Sequence, residues 1–248
     1  VGSEMCIRDR IFFELLNLGK HSVAMEVSSH GLEQRRVNGV RFDGAVFTNI
    51  SRDHLDYHGT MEAYLAAKLE LLKFPDLKFA VINLNDGYSS QILNAVPNNV
   101  KVWAVSHDQR PVTNAKTDER IHATNLINTL NGIHCTVHWR DQNAMLEIPL
   151  YGEFNVENVL CVLAVLLALG SSLDNAVKRI ATLKAVNGRM ERFGGNDKPL
   201  VFVDYAHTPD ALEKVLESAR KHCQQTLWLV FGCGGNRDKG KRAEMGEC

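Results

Sequence analysis

Short apolar runs rich in β-branched and aromatic residues alternate along this 248-residue chain with longer stretches of helical period. That alternation is typical of α/β proteins, in which helices cover a mostly parallel sheet. Near-continuous apolar runs, such as 201–203 and 227–231, fit strands that are buried on both faces. The sequence predicts strands near residues 22–27, 44–50, 79–83, 100–105, 200–205 and 226–231, and an antiparallel hairpin at 135–140 and 144–150.

A glycine-containing segment, residues 187–195, separates a long helical stretch from a new strand-helix-strand series. This change predicts a central domain over residues 11–186 and a second, Rossmann-like α/β domain over residues 187–248. Residues 1–10 are polar and irregular, and we expect them to be a non-native lead-in. Both ends are expected to be cut from a longer protein.

The charge balance argues against a partner with a large uniform charge. Lys and Arg number 28 against 29 Asp and Glu, so no broad positive field favours nucleic acid or an anionic membrane. The longest apolar run, 159–169, is much shorter than the ~20 residues that span a bilayer. Six cysteines without a CxxC pair fit reduced thiols. We expect a cytoplasmic protein that binds anions at local sites.

Polar residues follow the first predicted strand, at the edge where α/β sheets bind ligands. Glu26 could hold a hard cation such as Mg²⁺, while Ser28 and Arg36 could hold an oxyanion. Alternatively, Ser28 or Ser29 caps a helix and Glu26 is a solvated strand end. The residues alone leave both interpretations open.

The segment after the second predicted strand holds Asp53, His54, Asp56 and His58 within six residues. Two imidazoles and two carboxylates could form a Mg²⁺ or Mn²⁺ site, which suggests a metallohydrolase as an alternative. That alternative requires further ligands on other loops. The same residues also fit a polar turn before a helix capped by Thr60.

The next predicted helix places Lys68 on its apolar stripe, together with Met61, Leu65 and Leu72. A lysine at such a position either extends its ammonium to solvent or has a function. Desolvation lowers the pKa of an ammonium, and a neutral amine can react with CO₂. From the residues alone, an ammonium that extends to solvent is the favoured interpretation.

Asp204 and His207 precede a predicted helix with Thr208 at its N-cap and Pro209 at its first position. Such a helix N-terminus suits a phosphate group. Further on, the glycines and four cations of residues 231–242 suit carboxylate or phosphate recognition.

A near-match to a P-loop occurs within the same segment. Residues 235–241 fit GxxxxGK, but Arg242 follows where a P-loop has Ser or Thr for Mg²⁺. The glycine spacing also misses GxGxxG. We therefore predict neither a P-loop nor a dinucleotide fingerprint here.

Taken together, six segments resemble those of the Mur ligase family in order and spacing: 25–32, 48–59, 66–68, 187–191, 204–212 and 231–242. The resemblance implies ATP-dependent amide-bond formation in peptidoglycan synthesis, with UDP-MurNAc-L-Ala-D-Glu and meso-diaminopimelate as substrates. ATP would phosphorylate the D-Glu carboxylate, and the diamino acid would attack the acyl phosphate.

The resemblance also implies roles for individual residues. The Mg²⁺ ligands would be Glu26, His54 and the carbamate of a carbamylated Lys68. The UDP-muramoyl dipeptide would contact Ser28, Gln34 and Arg36, and Arg237 would grip the carboxylate of the diamino acid. The residues near ATP would be Asn155, Asn158, Arg189, Asp204 and His207. Of all these, Lys68, Arg189 and His207 would be catalytic.

The chain also departs from the family pattern. Full-length members carry a UDP-binding domain and a P-loop upstream of the Glu26 segment, and they continue past Gly246. We therefore expect a central ATPase-type domain without its P-loop part and a truncated C-terminal domain, acting as a monomer. The alternatives are a lysine-adding homologue, folylpolyglutamate synthetase, and a substrate-binding pseudoenzyme without turnover.

Because the lysine and hydroxyl of a P-loop are what cradle ATP, the 248-residue chain alone should have negligible ligase activity. The measurement is phosphate release on adding ATP, the muramoyl dipeptide and a diamino acid. Release that depends on the diamino acid would contradict this expectation.

Overall fold

The computed structural model describes residues 2–108, 116–129, 131–195, 197–223, 225–232 and 240–248. The chain divides into two compact units. The first is formed from residues 1–103 and 112–118, and the second from residues 104–111 and 119–248. The domain boundary predicted at residue 187 lies within the second unit and stays a prediction.

The first unit alternates strands with short helices. Its elements are α1 (Gly2–Asn17), α2 (Ser29–Glu33), β1 (Gly44–Phe47), α3 (Leu55–His58), α4 (Met61–Leu69), a 3₁₀ helix (Glu70–Lys73), β2 (Phe79–Asn83), α5 (Ser89–Ala95) and the first half of β3 (Lys101–Ser106). Strands β1 and β2 are parallel, with Gly44 opposite Phe79 and Phe47 opposite Ile82. The parallel pairing confirms the predicted α/β class.

The core of this unit explains why β2 is apolar along its whole length, since all five of its residues are buried. Side chains from β1, β2, α4 and α5 form one cluster that includes Ala45, Leu65, Ile82 and Leu93. The Phe79 ring packs directly against the backbone of Gly44, where a Cβ would lie 2.2 Å from the ring.

Two polar side chains fix the carboxyl ends of β1 and β2. Asn83, only 1% exposed, donates its side-chain amide to the carbonyl of Thr48 at 2.8 Å. Asp86 accepts from the backbone N–H of Ile50 at 2.7 Å and from that of Tyr88 at 2.8 Å. These bonds hold the chain where it leaves β1 toward His54.

The second unit contains an antiparallel sheet covered by helices. Its elements after β3 are β4 (Glu119–Thr129), β5 (Gly132–Trp139), β6 (Gln142–Ile148), α6 (Phe154–Ala168), α7 (Leu173–Ile180), β7 (Glu191–Gly195), β8 (Lys198–Val203), α8 (Pro209–His222) and α9 (Gly240–Glu247). The hairpin predicted around residues 141–143 is confirmed, because β5 and β6 pair antiparallel. Helices α6 and α7 pack on β4 and β6.

Two strand predictions are wrong. Residues 22–27 form no strand, although Glu26 lies near the end of that run and Ser28 follows it directly. Residues 226–231 form no strand either, and Trp228 and Val230 are 86% and 98% exposed. Strand β8 pairs antiparallel with β7, and its Val201 and Val203 are also exposed. A strand needs a neighbour for its hydrogen bonds, and no strand in the described ranges pairs with 226–231.

Among the helices that the structure describes, none combines the length and apolar character needed to cross a bilayer. The most apolar, α6, has fifteen residues.

Replacing Asn83 by Ala should lower the free energy of unfolding by about 1–3 kcal/mol, because the Thr48 carbonyl loses a buried donor. Urea denaturation followed by circular dichroism measures the change. The matched control is Asn38→Ala at an exposed turn, which should cost less than about 0.5 kcal/mol. Equal losses in both variants would contradict a specific role for the buried amide.

Candidate functional site

The residues predicted to hold the muramoyl dipeptide lie on both sides of α2. Ser28 is the N-cap of α2, and its hydroxyl accepts from the backbone N–H of Gly31 at 3.0 Å. The Arg36 guanidinium donates to the side-chain carbonyl of Gln34 at 2.5 Å, and the Gln34 amide donates to the Tyr57 hydroxyl at 3.3 Å. The structure therefore brings Gln34 and Arg36 together, and Ser28 does cap a helix.

His54 lies at the start of α3 in a strained backbone conformation. Its φ of 54° is left-handed, a region that residues with a Cβ rarely adopt. Its backbone N–H donates to the Asp53 carboxylate at 2.9 Å, and its ring nitrogen Nε2 lies 3.3 Å from the same carboxylate. The ring is 44% exposed, so it remains accessible to a ligand.

An aromatic cluster surrounds His54. The His30 ring lies 4.1 Å from the ring of Tyr57, 4.8 Å from that of His54 and 5.3 Å from that of His58, measured between centroids. Burial, and then the nearby imidazoles of His54 and His58, lower the pKa of His30. Proximity of several imidazoles disfavours charge on any one of them.

Lys68 lies on α4, half-buried as its apolar stripe predicted. Its ammonium is 3.5 Å from the carbonyl of Val27 and 5.8 Å from the centre of the Tyr64 ring. Burial lowers the pKa of Lys68, and the carboxylates of Glu26 and Asp53 offset part of this effect. The pKa of Tyr64 is raised by burial and by the same two carboxylates. The charges of Glu26 and Asp53 therefore act on both Lys68 and Tyr64.

These residues provide hard donors without forming a complete metal cage. Within the described ranges, no group of three or more His, Cys, Asp or Glu side chains could hold a metal ion. This finding gives no support to a metallohydrolase with ligands on several loops. A metal site that used Glu26 and His54 would therefore need at least one donor of another kind.

The second unit holds a separate group of predicted residues around Asp204. One Asp204 oxygen accepts from the N–H of Met190 at 2.8 Å and the other from the N–H of Ala206 at 2.7 Å. These bonds fix the turn that carries Arg189. The Arg189 guanidinium lies 5.7 Å from the centre of the Tyr205 ring.

His207 joins the same group from the start of α8. Its ring lies 5.2 Å from the ring of Tyr205, and its Nδ1 is 2.9 Å from the Tyr205 carbonyl. Thr208 caps α8 by accepting from the N–H of Ala211, and Pro209 is its first residue, as predicted. The structure therefore brings Arg189, Asp204 and His207 together.

Asn155 and Asn158 lie on the first turns of α6. The Asn155 amide donates to the carbonyl of Tyr151 at 2.7 Å, and the Asn158 amide donates to the Asn155 side chain at 3.3 Å. The Tyr151 hydroxyl accepts from Arg192 at 2.7 Å. Tyr151 and Met190 belong to one buried cluster, so this turn of α6 and the Arg189 turn adjoin the same core.

Arg237 lies outside the described residues, so its predicted role has no structural description. Sequence reasoning missed the aromatic residues that connect the site, namely Tyr57, Tyr64, Tyr151 and Tyr205. Tyr57 and Tyr205 stand inside the motif segments, and their position between charged neighbours was the available signal. Nothing in the sequence distinguished Tyr64 and Tyr151 from ordinary core residues.

A cavity of about 1010 Å³ opens beside Tyr57 and His58 in the first unit. It runs along the face of α4 that carries Ala63 and Ala66. Lys68 is not among its lining residues, so the cavity adjoins the aromatic cluster and not the Glu26 and Lys68 pair.

Comparison with known proteins gives consistent matches over most of the chain. The Mur ligase middle domain matches residues 8–166, and the Mur ligase, glutamate ligase domain matches residues 188–248. The UDP-N-acetylmuramoyl-L-alanyl-D-glutamate–2,6-diaminopimelate ligase of Pseudomonas syringae pv. tomato is 45% identical over 236 residues, which are 94% of this chain and 46% of that protein. The Pseudomonas aeruginosa ligase of the same name is 46% identical over 233 residues, 93% of this chain and 46% of its own length.

Solved structures agree with these matches. A structure of a UDP-N-acetylmuramoyl-L-alanyl-D-glutamate–2,6-diaminopimelate ligase has a TM-score of 0.69 and 40% identity, covering 90% of this chain and 44% of that one. A D-alanyl-D-alanyl-adding ligase from Acinetobacter baumannii, at 21% identity, has a TM-score of 0.59 and covers 75% of this chain and 38% of its own, which shows the fold alone. The chain spans about half the length of the curated relatives it matches. From the two domain matches and the identity to these relatives, the chain belongs to the Mur ligase family.

Proposed function

We propose that this chain contributes to an ATP-dependent ligase that joins meso-diaminopimelate to the D-Glu carboxylate of UDP-MurNAc-L-Ala-D-Glu. The observation that carries the proposal is the half-buried position of Lys68 on α4, with its ammonium 3.5 Å from the Val27 carbonyl and 5.8 Å from the centre of the Tyr64 ring. The names of relatives at 45% and 46% identity support the choice of substrates. The proposal includes a cytoplasmic location, because ATP is a cytoplasmic substrate. It also includes a monomeric enzyme.

The proposed reaction has two steps. The D-Glu carboxylate attacks the γ-phosphorus of ATP, which forms an acyl phosphate and releases ADP. The amine of meso-diaminopimelate then attacks the acyl carbon, loses a proton and expels inorganic phosphate. Ser28, Gln34 and Arg36 would hold the muramoyl dipeptide in place. The Arg36 guanidinium suits an oxyanion, because its planar donors match carboxylate and phosphate oxygens.

Mg²⁺ would be held by Glu26, His54 and a carbamylated Lys68. The donor chemistry fits, because an unmodified ammonium would repel the cation, whereas a carbamate adds an anionic oxygen beside Glu26. To form it, the neutral Lys68 amine attacks the carbon of CO₂ and loses a proton. When bound, Mg²⁺ neutralises negative charge on the transferred phosphoryl group.

The nucleotide would contact the second unit at Asn155, Asn158, Arg189 and His207. Arg189 would meet the phosphates, because its guanidinium is exposed at the tip of a fixed turn. Both carboxylate oxygens of Asp204 accept backbone N–H groups, which supports a role in positioning that turn. Arg237 would bind the carboxylate of the diamino acid, by its match to the family motif.

Replacing Lys68 by Ala should lower kcat by on the order of 10²–10³-fold, because the phosphoryl group loses a preorganised electrostatic partner. The assay is ADP formation by a chimaera in which these 248 residues replace the matching region of the Pseudomonas aeruginosa relative. The matched control is Lys73→Ala, four residues beyond α4 and 70% exposed, which should keep near-normal kcat. A chimaera that folds and binds the muramoyl dipeptide without ADP formation would favour the pseudoenzyme alternative. Faster turnover with lysine than with meso-diaminopimelate would favour the lysine-adding one.

The lowered pKa of Lys68 predicts how carbamate formation depends on pH. Only the neutral amine reacts, so a depressed pKa makes more of it available near neutral pH than at an exposed lysine. Acidification through that pKa protonates the amine and should remove the carbamate. ¹³C NMR of the isolated chain in ¹³C-bicarbonate measures this, with Lys68→Ala as the control. A signal confined to pH values near the ordinary lysine pKa would contradict the prediction.

A further inference from the structure

We infer that His58 is a positioning residue that sets the place of the Ser28 turn relative to the helix carrying Lys68. This inference rests on the proposed ligase function. It concerns a residue to which neither the family match nor the proposed reaction gives a role. The His58 side chain is only 3% exposed, although the short helix α3 lies near the surface.

Both ring nitrogens of His58 face polar groups of α2. Nε2 is 2.9 Å from the hydroxyl of Ser29, and Nδ1 is 3.4 Å from the carboxylate of Glu33. Ser29 and Glu33 are the first and last residues of α2, so one imidazole reaches both ends of that helix. A helix of five residues has little stability of its own and depends on such tertiary contacts.

The partners also select the tautomer. A carboxylate can only accept, so Glu33 favours the proton on Nδ1, and Nε2 then accepts from the Ser29 hydroxyl. Ser29 is fully buried, and loss of the imidazole would take away the acceptor for its hydroxyl proton. The pairing is therefore directional and cannot be replaced by any ring of similar size.

The other side of the His58 ring meets α4. Its centroid is 5.5 Å from that of Tyr64, and the Lys68 ammonium lies over the same tyrosine at 5.8 Å. Helices α2 and α4 pack against each other in the first unit. His58 thus connects the helix capped by Ser28 to the tyrosine under Lys68. A shift of α2 would change the 3.5 Å separation between the Val27 carbonyl and the Lys68 amine.

The test compares His58→Phe, which keeps an aromatic ring but loses both polar contacts, with His58→Gln, whose side-chain carbonyl can accept from Ser29. In the chimaera, His58→Phe should lower kcat/KM for the muramoyl dipeptide by about tenfold or more and change KM for ATP less than about twofold. His58→Gln should recover most of the loss. The control is His134→Phe on β5 in the second unit, which should leave both constants unchanged.

A second readout does not need turnover. In the isolated chain, His58→Phe should reduce the ¹³C-carbamate signal of Lys68 at fixed pH and bicarbonate, while His58→Gln retains it. Ser29→Ala combined with His58→Phe should lose no more than His58→Phe alone, because both changes break the same bond. If His58→Phe fails to fold, Ser29→Ala tests the same bond and should change the same constants in the same direction.

The outcomes separate this inference from the proposed function. If the wild-type chimaera forms no ADP, the proposed function fails, and the carbamate signal still tests His58. If His58→Phe lowers the melting temperature but leaves the dipeptide kcat/KM and the carbamate signal unchanged, His58 is only structural and the inference is overturned.

Discussion

Two opposing influences act on the pKa of the Lys68 amine in the first unit, namely burial and nearby carboxylates. Burial on α4 disfavours its charge, while Glu26 and Asp53 favour it, and burial has the larger effect on its pKa. The carboxylates come from different segments, one before α2 and one before α3. Both segments lie near Lys68 because α2 and α3 each pack against α4. His54, next to Asp53, has a strained left-handed backbone.

Backbone anchoring has the same importance in the second unit. Asp204 accepts the backbone N–H of Met190, just before β7, and that of Ala206, just after β8. It thereby fixes the turn that carries Arg189. Apolar packing also holds the turn, because Met190 is buried with Tyr151 in one apolar cluster. An exposed guanidinium on a turn held in this way is preorganised for an anion. In both units, side chains that are buried or have all their hydrogen bonds made hold exposed polar side chains in place.

The sequence predicted some elements well because their signals are local. The cap at Thr208, the cap at Thr60 and the hairpin near residues 141–143 depend on turn and capping chemistry within a few residues. The apolar run of β2 fits its complete burial. Residues 226–231 are also mostly apolar but form no strand in the structure. Composition indicates strand tendency, whereas a strand also needs a neighbour to pair with.

By itself, the sequence determined the α/β class, the positions of α4 and α8 and the residue types available for chemistry, since periodicity and motif spacing are properties of the chain alone. It placed Lys68 on a buried stripe and favoured an ammonium that reaches solvent, and only the family resemblance implied a function for the amine. Only the tertiary structure decided that the Lys68 ammonium lies over Tyr64 and near the Val27 carbonyl, and that His58 links both ends of α2 to that tyrosine. Such contacts join residues far apart in sequence, and hydrophobic period and local propensity carry no information about them.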